Sequence, residues 1–214
     1  MKELLKANRW FIFPYLIILV IAVILLIGYS KTELHILSNE ANSLFFDTFF
    51  KYATFFGDGT MIAILFIALL FVKYRFAFAF LAESLTTSLF VNIFKKVILH
   101  DIYRPSKYFE LYETYQLHFV EGVKLYSLQS FPSGHTGTAF NVFLTMAILT
   151  KNNGLKFLFL IAALLVAYSR VYLSQHFLID ITAGSVIGIV FILLFRIWFD
   201  KFNKNWLDKS ILTR

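Results

Sequence analysis

The chain alternates between long apolar runs and short polar stretches, and this alternation gives the first indication of its fold. Six runs rich in Leu, Ile, Val and Phe cover residues 10–29, 60–72, 76–99, 136–150, 155–171 and 177–199. A transmembrane helix needs about 20 mostly apolar residues to cross roughly 30 Å of hydrocarbon. The pattern therefore predicts an all-α polytopic membrane protein built as a bundle of six transmembrane helices.

The stretch between the first two runs, residues 30–58, has a different character. Charged side chains are interspersed there with Phe and Leu, at Lys31, Glu33, Glu40, Asp47 and Lys51. Such a mixture is typical of an amphipathic segment that lies in the plane of the membrane interface. We therefore expect an interfacial segment after the first helix, ended by the Gly-Asp-Gly turn at residues 57–59.

Composition supports a membrane protein and excludes several kinds of chemistry. Hydrophobic residues make up 59% of the 214 residues, and 27 of them are Phe, which does not describe a soluble globule. The chain has no Cys, so disulfides, thiolate catalysis and Cys-based zinc sites are excluded. No repeat, low-complexity tract or linker is visible, and we expect one domain over residues 1–214.

The net charge of +7 does not indicate a nucleic-acid partner, because the basic residues are scattered between apolar runs. Their positions indicate instead which links lie on which side of the membrane. Lys and Arg accumulate on the cytoplasmic side of membrane proteins. They are found here at Lys2, Lys6, Arg9, Lys73, Arg75, Lys151, Lys156 and five positions from 196 to 214. Both termini are therefore expected inside the cell. The links 30–59, 100–135 and 169–176 then face outward, which for the inner membrane of an enveloped cell is the periplasm.

The outward link 169–176 and the start of the sixth run carry polar residues that could form a catalytic or binding site. His176 and Asp180 are four residues apart, so on a helix they share a face. An Asp that binds one ring nitrogen leaves the other free as a base, a metal ligand or a nucleophile. Arg170 adds an anion contact nearby. Taken alone, the pattern equally fits a helix-capping Asp beside a structural His.

A second outward link ends in a turn suited to an anion. Pro132-Ser133-Gly134-His135 immediately precedes the fourth apolar run. A Ser-Gly turn that enters a helix offers a hydroxyl and free backbone N–H groups at a positive helix end. His135 beside it can donate a proton. The alternative interpretation is an ordinary N-cap turn with an unrelated His.

The third run ends in two lysines. Ser84, Ser88 and Asn92 form a polar stripe, and at 100° per residue Lys95 continues this stripe whereas Lys96 does not. Lys95 is therefore the better candidate for a shared pocket, and Lys96 for a solvated charge. Glu83, near the cytoplasmic end of the same run, is expected to be a hydrogen-bonded structural acid or a protonated one.

Topology brings these groups together. Lys95 and Arg104 follow the third run, residues 133–135 begin the fourth, and residues 170–180 join the fifth to the sixth. All of them emerge on the same membrane face. Three cations, a Ser-Gly turn, two His and an Asp at one face predict a phosphate site with a nucleophile and an acid.

These residues resemble the tripartite signature of the type 2 phosphatidic acid phosphatase (PAP2) family. That signature is a Lys followed by Arg-Pro, then Pro-Ser-Gly-His, then Ser-Arg, five residues, His, three residues and Asp. The second and third parts match residues 132–135 and 169–180 without deviation. In the first part the usual six-residue interval before Arg104 would place the Lys at Val97, whereas Lys95 and Lys96 leave eight and seven residues.

The resemblance implies a mechanism. His176 would attack phosphorus and form a phosphohistidine, Asp180 would orient it, and His135 would protonate the leaving oxygen. The oxygens of the phosphate would be bound by Lys95, Arg104, Ser133, Gly134 and Arg170. The family chemistry needs no cofactor and no metal ion. The partners would be a membrane lipid phosphate and the bilayer that holds it.

Several questions stay open at the level of sequence. The substrate can be phosphatidate, phosphatidylglycerophosphate, an isoprenyl pyrophosphate or a lipid A phosphate. The same site would also serve a lipid-linked phosphotransferase. A transporter is the third reading, but it predicts broken helices or inverted repeats that the sequence does not display. The sequence contains no indication of oligomeric state.

Overall fold

The computed structural model describes residues 1–213, and within this range it contains helices, turns and loops but no strand. Its helices are α1 (Lys2–Ala7), α2 (Arg9–Gly28), α3 (Lys31–Glu40), α4 (Leu44–Ala53), α5 (Gly59–Leu70), α6 (Tyr74–Ile93), α7 (Pro105–Tyr112), α8 (Gly134–Leu149), α9 (Asn153–Tyr172) and α10 (Leu178–Asp200). Short 3₁₀ turns at Thr54–Gly57 and Asn205–Asp208 and a π-helical turn at Phe94–Ile98 complete them. The all-α prediction is confirmed. Arg214, part of the predicted basic tail, lies outside the described residues.

Helix α8 forms the centre of the bundle. It packs against α6, α9 and α10, and eleven of its sixteen residues are buried. At 1.5 Å per residue α8 is roughly 24 Å long, which is shorter than the hydrocarbon layer. Because neighbouring helices surround it, α8 does not need a full-length apolar surface of its own.

Length and composition identify fewer membrane spans than the six predicted. Four helices of the described chain are long and apolar enough: α2, α6 with its π-helical extension, α9 and α10. A fifth span results if Leu44–Gly57 and Gly59–Leu70, which meet at 55°, are counted as one broken span. The predicted run 136–150 is the buried helix α8, and the run 60–72 contains only the 12 residues of α5. The described chain is therefore an integral membrane protein with four or five spans by this criterion, fewer than the six predicted.

The predicted interfacial segment consists of two short helices. Ser30 begins α3 with a capping box, in which its hydroxyl accepts a hydrogen bond from the Glu33 N–H at 3.2 Å and its own N–H donates to the Glu33 carboxylate at 2.8 Å. Ser43 caps α4 by accepting from the Phe46 N–H at 3.3 Å. Both helices pack against α9, and α3 also contacts α10. Two separate caps explain why one amphipathic stretch becomes two helices.

Close approach of α8 and α10 sets the geometry of the outer face. A Cβ atom added to Gly184 would lie 2.4 Å from the Ser133 carbonyl oxygen, and one added to Gly188 would lie 2.7 Å from that of Gly137. Small residues four apart allow helix backbones to meet in this way. The contact brings the start of α8 against the start of α10, where the Ser133 N–H donates to the Asp180 carbonyl at 3.0 Å.

Glu83 belongs to the opposite end of the bundle. Its carboxylate accepts a hydrogen bond from the Thr145 hydroxyl at 2.9 Å, near the C-terminal end of α8, and the side chain is buried. Arg196 is close enough to interact with it electrostatically. Glu83 is thus a hydrogen-bonded buried acid that lies away from the residues of the predicted phosphate site.

We expect Gly184→Ala to destabilise the protein, because the new methyl group would collide with the Ser133 backbone and force α8 and α10 apart. Overpacking of this kind costs about 1–3 kcal/mol. Gly28→Ala is the matched control, since a Cβ atom there meets no atom within 4 Å. The measurement is the thermal unfolding midpoint in detergent. Equal midpoints for the two variants would contradict this account of the α8–α10 contact.

Candidate active site

A histidine and a carboxylate lie at the junction between α9 and α10. The Nδ1 atom of His176 is 3.2 Å from Oδ2 of Asp180, and each residue is only 1% exposed. The same oxygen accepts hydrogen bonds from the Ser130 hydroxyl at 2.5 Å and from the Phe177 N–H at 3.0 Å. The carboxylate is therefore held in one position by donors from both the loop before α8 and the start of α10.

The surroundings of His176 define its protonation state. Nη1 of Arg104 is 3.4 Å from Nε2 of His176, and a guanidinium can only donate. Nε2 is therefore the unprotonated nitrogen, and the proton on Nδ1 is directed at Asp180. Burial, reinforced by the positive charges of Lys95, Arg104 and Arg170, lowers the pKa of His176 well below its ordinary value. The ring is neutral, with a free lone pair that faces cations.

Arg104 is oriented by backbone carbonyl groups. Its Nε donates to Leu128 at 3.0 Å, and its Nη1 donates to the carbonyl of Gln175 at 3.0 Å. Its own N–H donates to the Ser127 carbonyl at 2.9 Å, and Pro105 begins α7 immediately after it. These contacts use neutral acceptors, so the charge of the guanidinium stays available to an anion.

Arg170 approaches from the last turn of α9. Its Nη1 donates to the Thr54 hydroxyl at 2.6 Å, and the side chain is almost fully buried. Its Nε is buried and has no hydrogen-bond partner among residues 1–213. A buried donor without a partner is unfavourable. Arg170 therefore has hydrogen-bonding capacity to offer a bound anion.

The structure separates the two candidate lysines. Lys95 is partly buried and interacts electrostatically with Arg104, Asp180 and Arg170, whereas Lys96 is exposed. Both lie in the π-helical turn Phe94–Ile98, closed by the Leu99 N–H on the Phe94 carbonyl at 2.7 Å. A π turn holds one residue more than an α turn and is frequent at functional sites. The interval between Lys95 and Arg104 is longer than the usual six residues of the signature, and this turn accounts for part of the difference.

The turn before α8 contributes Ser133, Gly134 and His135 to the site. Ser133 is the N-cap of α8, and its oxygen accepts hydrogen bonds from the N–H and the hydroxyl of Thr136 at 3.4 and 2.9 Å. Its own hydroxyl hydrogen is still free to donate. Gly134 and His135 are partly exposed at the helix start, where backbone N–H groups favour an anion. The N-cap and the anion-binding interpretations of this turn are thus compatible.

All eight residues predicted from the sequence converge. His135 interacts electrostatically with Lys95, Arg104 and Arg170, and the same three cations act on His176. Lys95 and Arg104 interact with Asp180, and Arg170 interacts with Asp58, so positive charge exceeds negative charge in a way that suits an anionic ligand. Within residues 1–213 no group of three His, Asp or Glu side chains is placed to hold a metal ion.

Several supporting residues were not predicted. Ser130, Thr54 and Gln175 contact Asp180, Arg170 and Arg104, but each is a single polar residue without a distinctive neighbour in the sequence. His35 belongs to none of the signature parts. Its Nε2 lies 3.1 Å from the hydroxyl of Ser174 in the turn between α9 and α10, and burial lowers its pKa to about 4.

The loop that links α7 to α8 is attached to α3 and α4. Asn39 exchanges two hydrogen bonds with the backbone of His118, at 2.8 and 3.0 Å, and the His118 ring lies 2.9 Å from Asp47. Tyr108, Tyr112, Tyr115 and Phe119 recur at helical spacing, but α7 ends at Tyr112. The last two of these aromatics therefore belong to the loop. Helices α3 and α4 thus hold this loop in place.

We expect the imidazole of His176 to be neutral and protonated on Nδ1 at pH 6, because burial and the three neighbouring cations disfavour the imidazolium. Long-range ¹H–¹⁵N NMR correlation of the detergent-solubilised protein measures this directly. His176→Gln assigns the signals by removing them. An imidazolium pattern, or a proton on Nε2, would contradict the described geometry.

Comparisons with known proteins identify the family of the chain. The family model for the PAP2 superfamily matches residues 76–204, which include most of α6, the three signature parts and α10. No curated protein sequence matches the chain.

Two solved structures share the fold. The crystal structure of Aquifex aeolicus LpxE superposes with a TM-score of 0.66 at 23% identity, covering 77% of this chain and 93% of that one. The first transmembrane PAP2 type phosphatidylglycerolphosphate phosphatase from Bacillus subtilis gives a TM-score of 0.65 at 20% identity, covering 96% of this chain and 100% of that one. Since the family match covers more than half of the sequence and all eight residues of the site, the chain belongs to the PAP2 superfamily.

Proposed function

We propose that this protein is a membrane lipid phosphatase that hydrolyses a phosphate monoester or pyrophosphate through a phosphohistidine. One observation carries the proposal: the unprotonated Nε2 of the buried His176 faces Arg104, while Nδ1 is held by Asp180. A neutral imidazole with its lone pair directed into a cationic pocket is arranged as a nucleophile towards phosphorus. The family membership and the two similar folds support the same reaction class.

The first chemical step transfers the phosphoryl group to the protein. Lys95, Arg104 and Arg170, together with the start of α8, bind the phosphate oxygens, and Nε2 of His176 forms a bond to phosphorus. The bond from phosphorus to the lipid oxygen breaks, and His135 gives its proton to that oxygen. Asp180 stabilises the positive ring of the phosphohistidine through the Nδ1 proton. The negative charge of the phosphate supports the proton on His135 among the surrounding cations.

The second step returns the protein to its starting state. A water molecule attacks the phosphorus, and His135, now neutral, accepts one of its protons. The bond between phosphorus and Nε2 breaks, which releases orthophosphate and the free imidazole. Positioning and charge stabilisation by the cations supply most of the rate of such transfers. We propose that the reaction proceeds without a metal ion, as expected from the family resemblance.

We also propose a membrane arrangement for this chemistry. Residues 1–214 form one domain in which α5 and α8 complete a bundle of six helices, with α3 and α4 at the outer interface of the inner membrane. The exposed aromatic face of α4, including Phe45, Phe49 and Tyr52, suits contact with lipid head groups. The site then opens at the periplasmic or outer face.

The substrate is proposed to be a lipid whose phosphate reaches the interface while its apolar chains stay in the bilayer. One of the two similar structures is named as a phosphatidylglycerolphosphate phosphatase, and the other is named LpxE. At 20–23% identity their likeness concerns the fold, so the choice among the four candidate lipid phosphates is made by assay.

We expect the purified protein to release orthophosphate from at least one lipid in a panel of phosphatidate, phosphatidylglycerophosphate, isoprenyl pyrophosphate and lipid A phosphates. His176→Ala should reduce release from that lipid to background, because no covalent route remains. The readout is colorimetric phosphate release in mixed micelles.

The melting temperature and the elution volume in detergent establish that the His176→Ala variant is folded. Turnover near that of the wild type in this variant would contradict the phosphohistidine mechanism. Transfer of phosphate to an added lipid acceptor, without orthophosphate release, would instead indicate a phosphotransferase.

A separate prediction concerns sidedness. Thr114 lies in the link that carries the site, Lys151 lies between α8 and α9, and both are exposed. In this cysteine-free chain, Thr114→Cys should react with a membrane-impermeant maleimide added to whole cells or spheroplasts, and Lys151→Cys should not. Both should react after permeabilisation, which is the control. The reverse pattern would place the site at the cytoplasmic face.

A further inference from the structure

Tyr126 is an aromatic residue at the site that belongs to none of the three signature parts. Its ring centroid lies 5.3 Å from the guanidinium carbon of Arg104. The ammonium group of Lys124 is 5.1 Å from the same ring. Two cations therefore contact the π system of one tyrosine, which favours a fixed ring position.

The backbone around Tyr126 is attached to the site on both sides. The carbonyl groups of the next two residues, Ser127 and Leu128, both accept hydrogen bonds from Arg104. Before it, the Lys124 carbonyl accepts a hydrogen bond from the Gln175 side chain at 2.7 Å. Segment 124–128 thus wraps around Arg104 and keeps Tyr126 beside it.

Tyr126 lies close to the region where the cations of the site meet. The phenol is close enough to Arg104 and Arg170 to interact electrostatically with both guanidinium groups. The side chain is 51% exposed, whereas both arginines are almost fully buried. Tyr126 therefore lies at the rim of the pocket, where a neutral donor adds a hydrogen bond without adding to the repulsion among the cations.

We propose that Tyr126 is a substrate-contacting residue, whose hydroxyl donates a hydrogen bond to a non-bridging oxygen of the phosphoryl group held by Arg104 and Arg170. The contact rests on the proposed function for the identity of the lipid substrate, but its chemistry requires only a phosphate anion in the pocket. The aromatic ring also limits the movement of the Arg104 guanidinium. Tyr126 thus has two separable contributions, one from the hydroxyl and one from the ring.

Two substitutions separate these contributions. Tyr126→Phe keeps the ring on Arg104 and removes only the hydroxyl, so kcat/KM for the lipid phosphate should fall about tenfold, as for a lost hydrogen bond to a charged group. Tyr126→Ala removes both and should lower kcat/KM further. The matched control is Tyr112→Phe on α7, whose ring packs at a tilt against those of Tyr103 and Tyr108. The control should retain the kcat/KM of the wild type.

A binding measurement keeps the test independent of turnover. Titration calorimetry of the purified protein with orthophosphate should show about tenfold weaker binding for Tyr126→Phe than for the wild type and for Tyr112→Phe. The unfolding midpoint without phosphate should be the same in all three proteins. Weaker phosphate binding by Tyr126→Phe in a protein that hydrolyses no lipid would support the contact and reject the proposed function.

Three results would overturn the contact. The first is wild-type phosphate affinity and kcat/KM in Tyr126→Phe. The second is a loss confined to Tyr126→Ala, which would mean that only the ring matters, as packing on Arg104. The third is the absence of orthophosphate binding by the wild type itself.

Discussion

The carboxylate of Asp180 is the group on which the outer face of the protein depends. One oxygen receives hydrogen bonds from the His176 ring, the Ser130 hydroxyl and the Phe177 N–H, and the residue's carbonyl receives the Ser133 N–H. These donors come from the loop before α8, from the start of α8 and from the junction of α9 with α10. A single buried residue therefore sets the mutual positions of three chain segments. Arrangements of this kind are rigid, because each lost partner would leave a buried charge less satisfied.

The cations of the site are held in a way that preserves their charge. Arg104 is bound by carbonyl groups and Arg170 by the hydroxyl of Thr54, and the shared carboxylate is already occupied by His176 and Ser130. Lys95, Arg104 and Arg170 therefore act on one another and on His176 without full neutralisation. Burial and this excess of positive charge together keep the imidazole neutral, and the same positive charge would attract the phosphate of the proposed substrate. In the proposed mechanism, the cations that bind the phosphate therefore also help to keep His176 neutral and able to attack phosphorus.

Much of this could be predicted from the sequence, because hydrophobic runs and motif spacing are local properties. The ranges of α2, α9 and α10 follow their apolar runs, and topology alone placed Lys95, Arg104, His135 and His176 at one face. The contacts of Ser130 and Thr54 were not predictable, since they join residues 50 and 116 positions apart that carry no pattern of their own. The buried position of α8 was missed because apolar composition does not distinguish a helix that faces lipid from one that faces other helices. The π turn at Phe94–Ile98 depends on backbone packing, which hydrophobic periodicity does not encode.

The contact of Thr54 with Arg170 has a mechanical consequence. Thr54 begins the 3₁₀ turn at the 55° bend between α4 and α5, and α4 carries exposed aromatic side chains on its outer surface. If α4 lies at the membrane surface, as proposed, any change in lateral pressure or lipid packing that tilts this helix also displaces the hydroxyl that holds the Arg170 guanidinium. The affinity of the site for phosphate would then depend on the packing and lateral pressure of the lipids around the protein.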